Sequence, residues 1–292
     1  MKLGISTYSV VRALNNGETS PVEAIEWLCG IGCETIEVVP ICIDMSVPDQ
    51  AKRLREAAEK HGVPIENYSI GADFTNKSAN ELKEEIRKVK AHLDAALPMG
   101  IKTMRCDCTG WSRPVSENTI SKFLEELPIF VAAYDEIADY CGERGVKLLI
   151  ENHGFHANGF ERVKLILDSV KSKNFAHQLD IGNYICMDDN PQIVVKKMLP
   201  YAATIHAKDM YVRDFDPGDA SGYDESGAWF RSVGGRYLKG AIFGQGDIGA
   251  FEIMRTIKEY GYDGSIFIEF EGIENTFFGA KVSFENLKRA LN

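Results

Sequence analysis

The sequence predicts an α/β protein with the (β/α)8 TIM barrel fold. Short β-rich runs recur along the 292 residues, and an amphipathic helical pattern follows them, as in consecutive parallel βαβ units. Glycines that are typical of helix C-termini follow the helical runs: Gly32, Gly62, Gly100, Gly145 and Gly261. Barrels of this kind reach this length as one unit. We therefore expect a single domain over residues 1–292.

Eight β-rich runs account for the eight strands of such a barrel. In chain order they are Leu3–Tyr8, Thr35–Val39, Ile65–Gly71, Thr103–Asp107, Lys147–Asn152, Phe175–Asp180, Ala203–Lys208 and Ser265–Phe270. Between strands, apolar residues recur at spacings of three and four, which predicts amphipathic helices. The clearest are Pro21–Ile31, Asp49–His61, Glu81–Leu97 and Lys122–Arg144.

One long segment departs from this alternation. Met210–Gly246, after the seventh strand, contains many glycines, aromatic residues and charges without a clear period. Loops of this length in compact domains are usually lids or binding loops, and a disordered surface insertion is the alternative. Its aromatic residues, including Trp229 and Phe230, argue against disorder. We expect a long lid loop here.

The charge of the chain excludes two classes of partner. Asp and Glu number 43 against 33 Lys and Arg, for a formal net charge of -10. Such a surface repels phosphate backbones and anionic membranes, and no apolar stretch of about 18 residues is present. We therefore expect neither nucleic acid nor membrane as a partner.

The amino terminus and the cysteines predict a cytoplasmic protein. The start, MKLGISTYSV, lacks the basic region and the long apolar run of a secretory signal. The cysteines are odd in number and form no CxxC pair, which favours buried, reduced thiols over disulfides or a structural zinc site. The seven are Cys29, Cys33, Cys42, Cys106, Cys108, Cys141 and Cys186.

Polar residues end the last four predicted strands, which read LLIEN, HQLDIGN, TIHAKD and IFIEFEG. In a barrel, polar residues at the carboxyl ends of strands converge on the axis. One buried carboxylate is usually a satisfied structural acid, but burying three together costs too much without a compensating cation. The sequence therefore predicts one divalent metal ion, with the ligands Glu151, Asp180, His206 and Glu269.

The donor set indicates the kind of ion. Three carboxylates and one imidazole suit Mn(II), Mg(II) or Co(II) better than an ion that prefers thiolates. Mn(II) is the preferred prediction, and we expect no nucleotide cofactor.

Four motifs carry a resemblance to a known family: ENHG at Glu151–Gly154, LDIGN at Leu179–Asn183, IHAKD at Ile205–Asp209 and IEFEG at Ile268–Gly272. Over essentially its whole length the sequence resembles the xylose isomerase-like barrel superfamily of sugar isomerases, epimerases and dehydratases. The resemblance implies that vicinal sugar oxygens bind the metal while a base removes a proton from the carbon next to a carbonyl.

Two other functions for a barrel of this type are disfavoured. A DNA-repair endonuclease branch of the superfamily uses a histidine-rich trinuclear zinc site, whereas this acidic chain has only six histidines, of which His61 and His92 fall in helical patterns. A catalytically inactive sugar-binding or scaffolding barrel is disfavoured because all four ligand positions are intact.

His153 is the predicted catalytic acid or base. It lies two residues beyond Glu151 and so leaves the strand on the same side, and an imidazole suits proton transfer near neutral pH. A supporting hydrogen bond to a metal-binding carboxylate is the alternative role. Glu151 and Glu269 are the other candidate bases.

Three further residues are predicted to bind substrate. The resemblance assigns Asn183 a substrate contact, because related sugar epimerases place a polar residue three positions after the aspartate ligand. Lys208 and Asp107 end their strands and reach toward a sugar hydroxyl. Alternatively, Lys208 balances the acidic cluster and Asp107 caps a helix. Glu271 shares a strand face with Glu269 and is expected to support it.

Aromatic residues in the segments after strands offer a stacking surface for a flat group. They are Trp111, Phe155, Tyr211, Tyr223, Trp229, Phe230, Tyr237, Phe277 and Phe278. Packing of the lid onto the barrel is the alternative role for these side chains.

Together with ENHG and the GG-x-x-L-x-G segment at Gly234–Gly240, this pattern is similar to the catalytic α-subunits of bacterial C-glycoside deglycosidases. That resemblance implies a lyase that removes the C2 proton of a 3-keto sugar glycoside and expels an aromatic aglycone from C1, with His153 serving the phenolic oxygen. The alternative is a ketose or keto-sugar isomerase or 3-epimerase. The sequence leaves open an accessory subunit that completes the apolar mouth of the site, and also a homo-oligomer.

Overall fold

The computed structural model describes residues 1–111, 113–217 and 229–292. Within them the strands are β1 (Lys2–Ser6), β2 (Thr35–Val38), β3 (Ile65–Ile70), β4 (Thr103–Cys106), β5 (Lys147–Glu151), β6 (Phe175–Asp180), β7 (Ala202–Ala207), β8 (Asp209–Arg213), β9 (Phe230–Arg231), β10 (Tyr237–Ala241) and β11 (Ser265–Ile268). The closed barrel has the order β1-β11-β7-β6-β5-β4-β3-β2, and all of its pairings are parallel. The predicted (β/α)8 barrel is confirmed.

The α-helices of the same residues are α1 (Val11–Asn15), α2 (Pro21–Gly30), α3 (Gln50–Glu59), α4 (Ala79–Ala96), α5 (Ile120–Gly142), α6 (Phe160–Ser169), α7 (Pro191–Met198), α8 (Ala250–Tyr260) and α9 (Thr276–Leu291). Capping boxes begin α2 at Ser20 and α4 at Ser78, each with a glutamate three residues later. The four clearest helical predictions are confirmed to within about two residues at each end.

Most predicted strands are one or two residues too long at their carboxyl ends. β4 ends at Cys106, β7 at Ala207 and β11 at Ile268, so Asp107, Lys208 and Glu269 follow the strands rather than belong to them. The backbone N–H groups of Asp107 and Glu269 still donate to the neighbouring strands, at Ile70 and Ala207. These three candidate site residues therefore lie at the beginning of loops, and the preceding strands fix their position.

The segment predicted as an irregular lid contains regular structure. β8, β10 and β9 form a three-stranded antiparallel sheet, in which Met210 pairs with Gly240 and Phe230 pairs with Leu238. The expectation of a loop without a period was wrong for these strands, because two to five residues give too short an alternation to recognise. Tyr223 lies outside the described residues.

A continuous apolar core lies between the barrel and its helices. Cys42 is exposed, contrary to prediction, while the other six cysteines are buried and all seven are free. Among the described residues, no helix has the length and apolar character needed to cross a membrane.

Candidate active site

The four predicted metal ligands lie together at the carboxyl end of the barrel. One potential ligand atom from each of Glu151, Asp180, His206 and Glu269 lies within 4.8 Å of the others. The residues are between 0% and 9% exposed. They come from four adjacent strands, β5, β6, β7 and β11, which explains how residues 118 positions apart in the sequence meet.

Strand register and local hydrogen bonds position the cluster. Asp180 pairs with His206 across β6 and β7, so these side chains start from adjacent backbone positions. Asp180 Oδ1 accepts the backbone N–H groups of Gly182 and Asn183 over 2.7 and 2.8 Å. Its Oδ2 is buried and accepts no hydrogen bond. Lys208 Nζ lies 3.5 Å from it, so this oxygen is oriented and near a cation but has no hydrogen-bond donor.

Carboxylates are in excess within the cluster, and the pKa values reflect this. Burial raises the pKa of Asp180 to about 7, with Lys208 opposing the rise and Glu151 adding to it. Burial also disfavours the charge of Glu151, yet Arg105 and His206 lower its pKa to about 2. Desolvation is thus the main reason that the pKa of Asp180 is high, and Lys208 offsets it only in part.

These observations fit a divalent cation. Ligands about 2.1 Å from one small ion lie at most about 4.2 Å apart, so the cluster needs to contract by only a few tenths of an ångström. A cation there would satisfy Asp180 Oδ2 and keep the carboxylates ionised. The cluster can thus hold a metal ion of the oxygen-preferring class.

Sequence reasoning missed two charged residues that contact the cluster. Arg105, on β4, pairs with Glu151 and places Nε 3.0 Å from Asp107 Oδ1. Glu37, on β2, lies 2.9 Å from His206 Nε2. Both interrupt apolar strands and are at most 8% exposed, so a charged residue inside a barrel strand was the signal that could have found them.

His153 lines the pocket above the cluster, and its neighbours define its orientation. Its Nδ1 lies 2.9 Å from Asp107 Oδ2, which directs the other ring nitrogen, Nε2, away from Asp107. Burial lowers the pKa of His153, but Asp107 outweighs that effect and raises it overall. Asp107 thus fixes the orientation of the imidazole and favours its protonated form.

Asp107 has two protein contacts that the sequence did not predict. It lines the pocket, but one oxygen faces His153 and the other faces Arg105. Oδ2 is hydrogen-bonded to His153, whereas Oδ1 has Arg105 as a charge partner but accepts no hydrogen bond. The predicted contact to a substrate hydroxyl would therefore fall to Oδ1.

Lys208 and Asn183 adjoin each other in the same pocket. Lys208 Nζ lies 2.6 Å from Glu269 Oε2, 3.1 Å from Glu271 Oε1 and 3.2 Å from Asn183 Oδ1. The lysine therefore balances the acidic cluster, as the alternative proposed. Asn183 Nδ2 is buried without a hydrogen-bond partner, which makes it a donor that a ligand in the pocket could satisfy.

A cavity of about 510 Å³ opens above these residues, a size that suits a small-molecule ligand. Besides the polar groups, its lining includes an apolar side formed by Val39, Ile41, Trp111, Met210 and Phe230. The lining therefore combines polar groups, which we call the polar wall, with these apolar side chains, which we call the apolar wall.

Only part of the predicted aromatic surface faces this cavity. Trp111 and Phe230 line it, with ring centroids 6.0 Å apart. Trp229 instead lies against Lys239, whose Nζ is 4.9 Å from the ring centroid, and Lys239 alternates with the pocket-lining Gly240 along β10. The expectation that Trp229 faces the substrate was wrong, because adjacent strand residues point to opposite faces of the sheet.

The other predicted aromatic residues occupy different places. Phe155 packs against Trp111, with centroids 5.0 Å apart, and Tyr211 lies on the outer face, 5.5 Å from Lys239 Nζ. Tyr237 stacks under Arg231. Phe277 packs on Trp27, and Phe278 is 59% exposed. These side chains pack against other residues or lie on the surface, and none of them lines the cavity.

Known structures share the architecture over the whole chain. The probable 3-DHS dehydratase AsbF of Bacillus anthracis has a TM-score of 0.76 at 16% identity, covering 99% of each chain. D-Psicose 3-epimerase of Clostridium cellulolyticum H10, solved with D-tagatose, has 0.75 at 15% identity, covering 100% of each. The IOLI protein, solved with a zinc atom, has 0.73 at 19% identity, covering 99% of this chain and 96% of that one.

At these identities the similarity concerns the fold. A match to a protein family goes further, because the model of the family described as xylose isomerase-like TIM barrel matches residues 25–290, nearly the whole sequence. The chain therefore belongs to the xylose isomerase-like TIM barrel family.

Proposed function

We propose that the chain is a divalent-metal-dependent lyase that cleaves the C-glycosidic bond of 3-keto sugar glycosides. The observation that carries the proposal is the position of His153 between the acidic cluster and an aromatic wall. Its ring centroid lies 5.5 Å from that of Trp111, which in turn contacts Phe230. A proton donor is thus next to a surface suited to an aryl group.

The reaction needs two proton transfers, and the residues of the site supply both. A carboxylate of the cluster, Glu151 or Glu269, takes the C2 proton, which the C3 carbonyl acidifies. The electrons of that C–H bond form the C1–C2 double bond as the C1–aryl bond breaks. The aryl carbon keeps the electrons of the broken C1–aryl bond and takes up the proton of the phenolic O–H group, which His153 replaces. The products are an unsaturated keto sugar and the free aglycone.

A divalent ion held by Glu151, Asp180, His206 and Glu269 would stabilise negative charge on the carbonyl oxygen without solvent reorganisation. His153, oriented by Asp107, would exchange a proton with the phenolic oxygen of the aglycone. Mn(II) remains our preferred ion, with Mg(II) and Co(II) as alternatives.

The charges of the pocket favour a neutral substrate. Arg105 pairs with Glu151 and Asp107, and Lys208 pairs with Glu269. Arg12, a third cation in the lining, donates to the carbonyl oxygens of residues 272–274. Because these cations have acidic or carbonyl partners, a sugar phosphate or sugar acid would have to displace one of them. An uncharged glycoside would not.

The alternative is a ketose or keto-sugar 3-epimerase or isomerase. It is favoured by the presence of two carboxylates in the cluster, Glu151 and Glu269, which lie 3.0 and 3.5 Å from His206 Nδ1. Epimerisation needs a proton to leave one face of a carbon and return on the other, and two bases can do so. The fold similarity to D-psicose 3-epimerase is consistent with this chemistry.

Product analysis separates the two reactions. Wild-type protein with saturating Mn(II) is incubated with a 3-keto aryl C-glucoside and, separately, with free ketoses. Release of the aglycone is expected. Rapid epimerisation of a ketose with no aglycone released would replace the lyase by the epimerase.

A further inference from the structure

A buried carboxylate lies beneath the proposed metal ligands. Glu37 is 0% exposed and does not line the pocket. Its oxygens lie 3.0 and 2.9 Å from His206 Nε2, although β2 and β7 are not neighbours in the barrel. The contact therefore crosses the barrel interior and does not follow from strand pairing.

Neighbouring donors hold Glu37 in place. Ser69 Oγ donates to its Oε2 over 2.9 Å, and Asn67 Nδ2 donates to the same oxygen. Asn67 also donates to Gln178 Oε1 over 2.6 Å, and that oxygen accepts from Thr204 Oγ1. A carboxylate that accepts from two fixed donors and also contacts the imidazole has a defined orientation.

The charge of Glu37 decides which nitrogen of His206 carries a proton. Gln178 Nε2 also lies 2.7 Å from His206 Nε2, so an amide N–H is a competing partner for that nitrogen. Anionic oxygens 2.9 and 3.0 Å from a lone pair would repel it, whereas an Nε2–H group donates to them. With a cation on the lone pair of Nδ1, which faces Glu151 at the same distance, the one proton of the ring therefore belongs on Nε2.

The other nitrogen of the ring then serves the metal centre. Nδ1 lies 3.0 Å from Glu151, 3.5 Å from Glu269 and 3.9 Å from Asp180, so it faces all three carboxylate ligands. A hydrogen bond from the far nitrogen to a carboxylate fixes the tautomer of a ligating histidine and makes it a stronger donor.

We propose that Glu37 is a positioning residue of the metal centre: through His206 Nε2 it sets the tautomer, the orientation and the donor strength of that ligand. The inference rests on the proposed function, because it presumes that His206 binds the ion. The proposal adds Glu37, from across the barrel, to the residues of the metal centre, although Glu37 would touch neither the ion nor the substrate.

Removing the charge of Glu37 at nearly constant shape tests this role. For Glu37→Gln in the full chain, we expect Co(II) affinity, measured by competition with a chelating dye, to fall by about 10- to 100-fold. The visible absorption spectrum of bound Co(II) should shift as well, since a weaker imidazole donor changes the ligand field. Thermal unfolding without metal identifies any loss of fold.

A matched control is available at the other end of the barrel. Glu66, on β3, accepts hydrogen bonds from Thr35 and Ser265 over 3.2 and 3.1 Å. Glu66→Gln makes the same chemical change far from the ligands, and it should leave Co(II) affinity and spectrum as in the wild type.

A second variant covers the case in which Glu37→Gln does not fold. Glu37→Asp keeps the charge but withdraws it from His206, and it should also lose affinity. Wild-type affinity and spectrum in a folded Glu37 variant would overturn the role of Glu37 and leave the metal site intact. Absence of stoichiometric Co(II) binding by the wild type would overturn the metal site itself.

Discussion

The two walls of the pocket differ in chemistry and in origin. The polar wall comes from the ends of β5, β6, β7 and β11, where strand register places each side chain. The apolar wall combines the start of loops after β2 and β4 with the sheet of β8, β9 and β10. In this comparison, rigid strands carry the proposed reaction chemistry, whereas connecting segments choose the substrate.

The largest effect should come from a metal ligand in the polar wall. Glu269→Gln or His206→Ala removes one of four donors, so turnover should fall by about 10³-fold or more and metal content should drop below about one ion per chain. Elemental analysis and steady-state kinetics measure the two quantities. Full activity with an emptied site would show that the polar wall does not act through a metal.

A smaller loss of turnover is expected from a change of His153, which lies between the polar and the apolar wall. His153→Ala should lower turnover by about 10²- to 10⁴-fold, the usual contribution of a general acid or base, while metal content stays as in the wild type. Retained turnover with weakened metal binding would instead assign His153 a supporting role.

A substitution in the apolar wall should change only the preference of the protein among substrates. Phe230→Ala should impair an aryl 3-keto C-glucoside by about 1 to 3 kcal/mol in kcat/KM, a typical term for aromatic burial, and small ketoses much less. Trp229→Ala is the matched control, because the adjacent ring lies on the outer face beside Lys239. Equal losses in both variants would mean that the inner face does not select the aglycone.

The sequence allowed the barrel and the acidic cluster to be predicted for the same reason. Strands buried on both sides read as apolar runs, and a polar residue such as Glu151 or Asp180 at the end of such a run is conspicuous. Glu37 was missed because its partner His206 lies on β7, which does not neighbour β2, so only the closed barrel brings the two together. Arg105 pairs with Asp107, just after its own strand, and with Glu151 on the neighbouring β5, and its charge within a buried strand was the overlooked signal.

The segment Met210–Gly246 contains structure that its sequence did not predict. The alternation along β8 and β10 is too short to recognise, so the sequence could not tell which of Trp229 and Phe230 faces the pocket. Pairing between strands decides this, and a shift of one residue would exchange the two rings. Likewise, the sequence did not reveal the contact between Asp107 and His153, because it joins residues 46 positions apart.

The central claim is that the acidic cluster, loaded with a divalent ion, removes a proton from the carbon next to a carbonyl. The most direct measurement follows the C2 proton of a 3-keto aryl C-glucoside by ¹H NMR in D₂O with Mg(II), which avoids the line broadening of Mn(II). We predict that the C2 signal disappears as the aglycone is released, and that both changes stop on chelation and in Glu269→Gln. Cleavage with the C2 proton retained, or undiminished loss of that proton after exhaustive chelation, would contradict the account.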